Sequence, residues 1–245
     1  MIIDCHTHIG KGETLNDVYQ IDLTLEMLIK QMDKAKVVKS ILFPVYYRDY
    51  RKACLEIAEI IQKDNRFLGF VRVNCGASDA PEQIEYGIKE LGLKGLKIHP
   101  ADGFPTREMM EKVSILKIPV LFHTGIGGHA PVGFEPIIKS YPDVTIILAH
   151  LGLDLNGALM FEFGVQANFL ARKYKNVYLD TAAVHWISYF LEQAIFEAGA
   201  DKIIFGTDAP WFHQAPAIAF INDIEVSDTD KMKILGGNIA RILNL

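Results

Sequence analysis

Two histidines stand one residue apart in the opening stretch "MIIDCHTHIG", His6 and His8. They close a short apolar run, and side chains two apart on a strand face the same way. A same-facing pair of imidazoles suits a metal ion, because imidazole is the commonest protein ligand for divalent transition metals. A catalytic zinc-type site wants three protein ligands and an open position for water. A single strand-end histidine is more often a hydrogen-bonded core residue, so the pair gains meaning only if further ligands are carried to it. The same alternation predicts that Cys5 and Thr7 face the other way.

Further ligand-type residues close the later apolar runs. His99 ends "LKGLKIHP", His123 ends the strand in "PVLFHTG", and His150 sits in "VTIILAHLG". Asp180 follows in "NVYLDTAA", Asp208 in "KIIFGTDAP", and Asn74 closes "FLGFVRVN". The remaining three of the eight histidines, His129, His185 and His213, fall just beyond such runs. None of the eight lies within an expected helix. His6, His8, His123 and Asp208 form the expected metal set, while Asp4 and Asp180 are expected to make supporting hydrogen bonds. His99, Arg48 and Trp211 are candidate substrate contacts; for Arg48 a helix-surface role is the plainer reading.

Elements that can bring these residues together are legible in the hydrophobic pattern. Eight short runs ("MIIDCH", "SILFPV", "FLGFVRVN", "LKGLKIHP", "PVLFHTG", "VTIILAHLG", "NVYLDTAA", "KIIFGTDAP") are apolar on both alternating faces, as strands of a doubly covered parallel sheet are. Between them the spacing predicts helices over 24–35, 49–63, 80–90, 106–116, 135–140, 156–173 and 188–198, then 215–224 and 228–243. Asp79 before Pro81, and Ser227 with Asp228, supply helix-start chemistry. Strand and helix in eightfold alternation point to α/β architecture: a single (β/α)8 TIM barrel over 1–245 with an extra C-terminal helix. A doubly wound sheet would want a glycine-rich phosphate turn after its first strand. The first run ends in "HTH" instead, and "GIGGH" (125–129) lacks the lysine of a phosphate loop. In a barrel the strand ends share one face, which gathers the ligand-type residues at one mouth.

Composition restricts the function classes. Half of the 245 residues are hydrophobic and 22% are charged, as in a globular protein with a sizeable core. A net charge of −5 with scattered Lys and Arg excludes a phosphate-neutralising nucleic-acid surface. No apolar run reaches the roughly 18 residues of a membrane span, and no secretory signal is visible. Three well-separated cysteines make no disulfide framework. The expectation is a cytoplasmic enzyme acting on a small molecule, without nucleic-acid or membrane partners and open to homo-oligomer formation.

These motifs, with the terminal "ILGGNIARIL", resemble the amidohydrolase superfamily in order and over nearly the whole chain. The resemblance is closest to its amidohydrolase-2 branch, the aminocarboxymuconate-semialdehyde decarboxylase-like TIM-barrel metal-dependent hydrolases. It implies one divalent ion, zinc first with manganese, iron or nickel as alternatives, on His6, His8, His123 and Asp208. It also implies that His150 works beside the metal as acid, base or polarising group. Two-metal relatives bridge their ions from strand four, where Lys97 lies two residues deeper than His99; one metal is therefore expected.

Such a site can lower the pKa of a bound water from 15.7 toward about 7. With Asp208 taking a proton and His150 polarising a carbonyl, hydrolysis of a small amide, ester or lactone is the first expectation. Non-oxidative decarboxylation of a small cyclic or unsaturated acid is the second. A metal-binding barrel without catalysis is the third. Short loops favour a small substrate.

Overall fold

The short apolar runs become strands in the computed structural model, which describes residues 1–13, 22–125, 129–153 and 160–245. The strands are β1 (Ile3–Ile9), β2 (Lys39–Pro44), β3 (Phe67–Gly69), β4 (Val71–Arg72), β5 (Leu96–Ile98), β6 (Val120–Phe122), β7 (Ile146–Leu148), β8 (Val177–Asp180) and β9 (Ile203–Ile204). Every pairing between them is parallel, in the orders β1-β2-β3 and β4-β5-β6-β7-β8-β9. β3 and β4 are one predicted strand that changes partner at Phe70: Phe70 N donates to Leu42 O at 3.1 Å and Val71 N to Gly95 O at 2.8 Å. The chain beyond β9 returns to β1 through Cys5 N to Phe205 O (3.0 Å) and His8 N to Ala209 O (2.7 Å). The sheet therefore closes on itself as the predicted (β/α)8 barrel, which leaves no open edge.

Helices fill the intervals where the 3.6-residue period predicts them: α1 (Leu25–Ala35), α2 (Tyr50–Lys63), α3 (Ala80–Lys89), α4 (Arg107–Leu116), α5 (Glu135–Ser140), α6 (Met160–Lys173), α7 (Ser188–Ala198) and α8 (Gln214–Asp223). The first four residues predicted for the sixth helix, 156–159, lie outside the described residues, as do 126–128 of "GIGGH". Thr24, Asp49, Thr106 and Ser227 cap their helices through side-chain oxygens, satisfying otherwise orphaned N–H groups. Asp79 makes no such cap; its carboxylate binds Gln83 and Arg51 instead.

The predicted helix over 228–243 is not continuous. It runs as α9 (Asp228–Met232), a π-helical turn over 233–237, and α10 (Asn238–Leu243). Gly236 lies so close to Met1 O and Ile3 N that a Cβ could not fit, and Ile234 O is diverted to accept Phe205 N at 3.0 Å. The wider turn frees that carbonyl to serve the barrel floor, a reason found in packing rather than in local pattern.

Apolar side chains divide into two shells. Ile41, Phe43, Phe70, Leu121, Ile147 and Ile204 fill the barrel, all fully buried. Leu28, Ile57, Ile84, Val113, Ile138 and Leu170 pack the helices onto its outside. Each such burial stabilises by about 1.5–3 kcal/mol. None of the described helices is long and apolar enough to cross a membrane.

One prediction about β1 is corrected. Between the pairs Asp4–Ser40 and Thr7–Leu42 the register slips, so Cys5 and His6 together oppose Ile41. The bulge turns both toward the interior: Cys5 packs with Ile3, Ile41 and Phe43 rather than facing the helices. Asp4 points outward, accepting from Thr207 Oγ1 at 2.5 Å and from Gln214 Nε2 at 2.7 Å. This ties β1 to the segment after β9 and to the start of α8.

Candidate metal centre

The bulge delivers His6, and the next inward position delivers His8. Ligand atoms of His6, His8 and Asp208 lie within 4.8 Å of one another. His8 Nε2 lies 2.9 Å from Asp208 Oδ1, and His6 Nε2 3.6 Å from the same oxygen. Asp208 arrives through a left-handed backbone, φ 67°, which aspartate tolerates better than most residues. The hydrogen bond from its N–H to His6 O, 2.8 Å, holds it there.

His150 also reaches the site through an unusual backbone. Strand β7 ends at Leu148, and His150 and Leu151 follow at φ 59° and 51°. Such conformations cost about 1–3 kcal/mol and persist where neighbours over-determine them. Here Asp180 is the neighbour, its Oδ1 accepting from His150 N at 2.8 Å and from Ala182 N at 3.0 Å. Its Oδ2 accepts from His6 Nδ1 at 2.9 Å.

These contacts fix the ring protons. With His6 Nδ1–H given to Asp180, Nε2 carries the lone pair, and Lys97 Nζ donates to it at 3.1 Å. His150 Nδ1–H goes to Ala182 O at 2.9 Å, so its Nε2 accepts from His123 Nδ1 at 3.0 Å. That leaves His123 Nε2 with a bare lone pair, buried and without a hydrogen-bond partner among the described residues. An orphaned imidazole nitrogen of this kind, beside a His–His–Asp cluster, fits a divalent cation: the donors are neutral nitrogen and anionic oxygen, as such ions require.

Electrostatics support the same protonation states. Burial, then the charge of Lys97, pushes His6 well below the usual histidine range. Burial does the same for His123, reinforced by His150. His8 is lowered by burial against the pull of Asp208, and His99 is lowered by burial and Arg72 to about 2. Burial opposes ionisation of Asp208, but its hydrogen bond with His8 and the neighbouring histidines outweigh this and hold the carboxyl well below its usual range. Burial brings Lys97 down to about 8.

The centre opens into a cavity of about 220 Å³ lined by His8, Val45, Tyr46, Arg72, His99, Ala101, His123, Asp208 and Trp211. His99 and Trp211 thus stand where a substrate would meet them. His99 Nδ1 accepts from Ala101 N at 3.1 Å, so the neutral ring keeps its proton on Nε2. Arg48 is exposed and does not line this cavity; its backbone N–H donates to Glu13 at 2.7 Å. Lys97 lies deeper and fully buried, with no carboxylate oxygen within 4.0 Å among the described residues. His129 and His185 pack against Phe134 and Phe212, at 5.8 and 5.5 Å between centroids.

Arg72 is the lining residue that strand-end reasoning missed. The last polar residue of "FLGFVRVN" is Asn74, which is exposed and accepts from Gly76 N at 2.9 Å. The available signal was the arginine two residues earlier, charged in the middle of an otherwise apolar central strand and in register with Lys97.

Comparison with known proteins agrees with the fold. The amidohydrolase family model (Amidohydro_2) matches residues 3–245, and the chain belongs to that family. A gamma-resorcylate decarboxylase from Polaromonas sp. (strain JS666) is 27% identical over 121 residues, which cover 44% of this chain and 37% of that enzyme. The solved dihydroxybenzoic acid decarboxylase of Polaromonas sp. JS666, with bound manganese and the inhibitor 2-nitroresorcinol, has a TM-score of 0.75 at 20% identity, covering 100% of this chain and 97% of that one. An amidohydrolase from Burkholderia multivorans with bound HEPES reaches a TM-score of 0.80 at 14% identity, covering 100% and 99%. At these identities the structural likeness speaks for the fold. The expectation that put hydrolysis first is weakened: the matched relative is a decarboxylase, the reaction placed second.

Proposed function

We propose that this protein is a metal-dependent, non-oxidative decarboxylase of a small aromatic hydroxy acid, with one divalent ion on His6, His8, His123 and Asp208. The observation that carries the metal is the orphaned His123 Nε2 beside the His6–His8–Asp208 cluster. The choice of reaction is supported by the decarboxylase relative. A cavity of about 220 Å³ suits a single ring rather than a polymer.

A bound divalent ion supplies Lewis acidity, which favours ionisation of an oxygen it holds. Asp208, ionised in the free site, takes the proton of the ring hydroxyl as the substrate enters. It returns that proton to the ring carbon bearing the carboxylate, whose carbon–carbon bond then breaks. The bonding pair goes back to the ring and carbon dioxide leaves, with no net oxidation. The product phenolate regains a proton from solvent. His150 keeps His123 in the tautomer with a bare Nε2, and the His99 Nε2–H offers a donor to a substrate oxygen.

The test is metal-loaded protein incubated in 18O-water with a panel of hydroxybenzoates, lactones and amides. Carbon dioxide released one for one with a phenol is the expected outcome. Label entering a carboxyl product, without carbon dioxide, would restore hydrolysis and sink the decarboxylase reading. Metal analysis should give about one divalent ion per chain, lost in His6→Ala and Asp208→Ala; zinc and manganese are separated by the same measurement.

A further inference from the structure

We infer that Arg72 is the residue that selects an anionic substrate, receiving the negatively charged group of the molecule that enters this cavity. The inference rests on the reading of the cavity as the reaction site. Arg72 is only 3% exposed, and among the described residues lining the cavity it is the one with a permanent positive charge.

Its neighbours hold it firmly without using it up. Nε donates to Asp102 Oδ2 at 2.7 Å, and Nη1 to Pro44 O at 2.9 Å. The Tyr50 ring lies beneath the guanidinium carbon at 5.0 Å. A guanidinium has five N–H donors, and Nη2 makes no hydrogen bond among the described residues. Asp102 is shared as well: its other oxygen accepts from Tyr50 Oη at 2.5 Å. A purely structural ion pair would more naturally take the arginine fork with both carboxylate oxygens. Here the carboxylate is split between two donors, and Nη2 is left for a third party. His99, on the same wall, adds its Nε2–H. A carboxylate or ring oxyanion matches that pair of donors; a neutral amide does not replace its charge.

The test compares benzoate with benzamide, equal in size and different in charge, binding to metal-loaded protein and read by the fluorescence of Trp211 at the cavity wall. Wild-type protein should prefer benzoate. Arg72→Met should weaken benzoate by roughly tenfold or more, the scale of a hydrogen bond to a charged group, and leave benzamide within about twofold. Arg72→Lys keeps the charge and the Asp102 pair but loses the fork, so its benzoate affinity should fall between the two. Asp102→Asn, which loosens the anchor and keeps the guanidinium, should retain the preference for benzoate.

Wild-type protein that binds both ligands equally overturns the inference. So does Arg72→Met that is folded and keeps benzoate within about twofold of wild type. If Arg72→Met does not fold, unchanged benzoate affinity in Arg72→Lys overturns it instead. The outcomes are separable from the decarboxylase reading. Absence of carbon dioxide release with an Arg72-dependent benzoate preference defeats only the reaction; release with an Arg72-independent preference defeats only this assignment.

Discussion

Asp180 shows how much one buried carboxylate can organise. Its two oxygens hold the His6 ring, the left-handed His150 backbone and the Ala182 N–H at 2.8–3.0 Å. Asp180→Asn replaces one acceptor by an amide donor facing His6 Nδ1, which forces the proton onto Nε2, the atom needed for a metal. The expected loss of metal affinity is about 10–100-fold, measured by competition with a chromophoric chelator. Affinity equal to wild type would show that the His6 tautomer does not matter. Much at this scale is legible in the sequence: the i, i+2 pair follows from strand geometry, and Asp180 closes its run as a supporting hydrogen-bonding group. Arg72 is not legible among strand-end residues because it lies inside its strand, in register with Lys97. The inward turn of Cys5 was not seen because a bulge leaves no mark in a hydrophobic pattern.

Elements fare differently. The helices were legible because amphipathic periodicity and capping residues are local signals, and most predicted bounds fall within one or two residues of the observed ones. The irregular segments were not, because their causes are tertiary. The turn after β7 is the case that bears on the site. Gly152 sits at φ 78°, and a Cβ there would collide with Ala167 Cβ on α6 and lie 3.1 Å from Phe163 O. Both contacts are close, and backbone cannot give way cheaply. Gly152→Ala should cost about 2–4 kcal/mol from overpacking and left-handed strain, a fall of roughly 5–15 °C in melting temperature for a chain of this size. Calorimetry checks it; a fall under about 2 °C would mean that α6 can move away at little cost. The same substitution should disturb His150, two residues earlier.

For the molecule as a whole, the candidate ligands come from three parts of the chain: β1, the end of β6 and the segment after β9. A cation held there joins the first strand to the last one across the seam of the barrel, so its loss should be felt globally. At a hundredfold excess over its dissociation constant a ligand adds about 2.7 kcal/mol, so stripping the metal should lower the melting temperature by roughly 5–10 °C. Scanning calorimetry before and after chelation, with manganese or zinc restored, measures this; an unchanged transition would place the ion outside the folded core. The bulge in β1 has its own consequence for how the chain tolerates loss of a residue. Because Cys5 and His6 both oppose Ile41, removing Cys5 would restore plain alternation and leave Asp4 outward with His6 and His8 inward. Removing Thr7 would instead send His8 to the outer face. Shortened by one residue, the first chain should still bind its metal and the second should not: here a strand next to the chemistry can lose a residue without losing its aim.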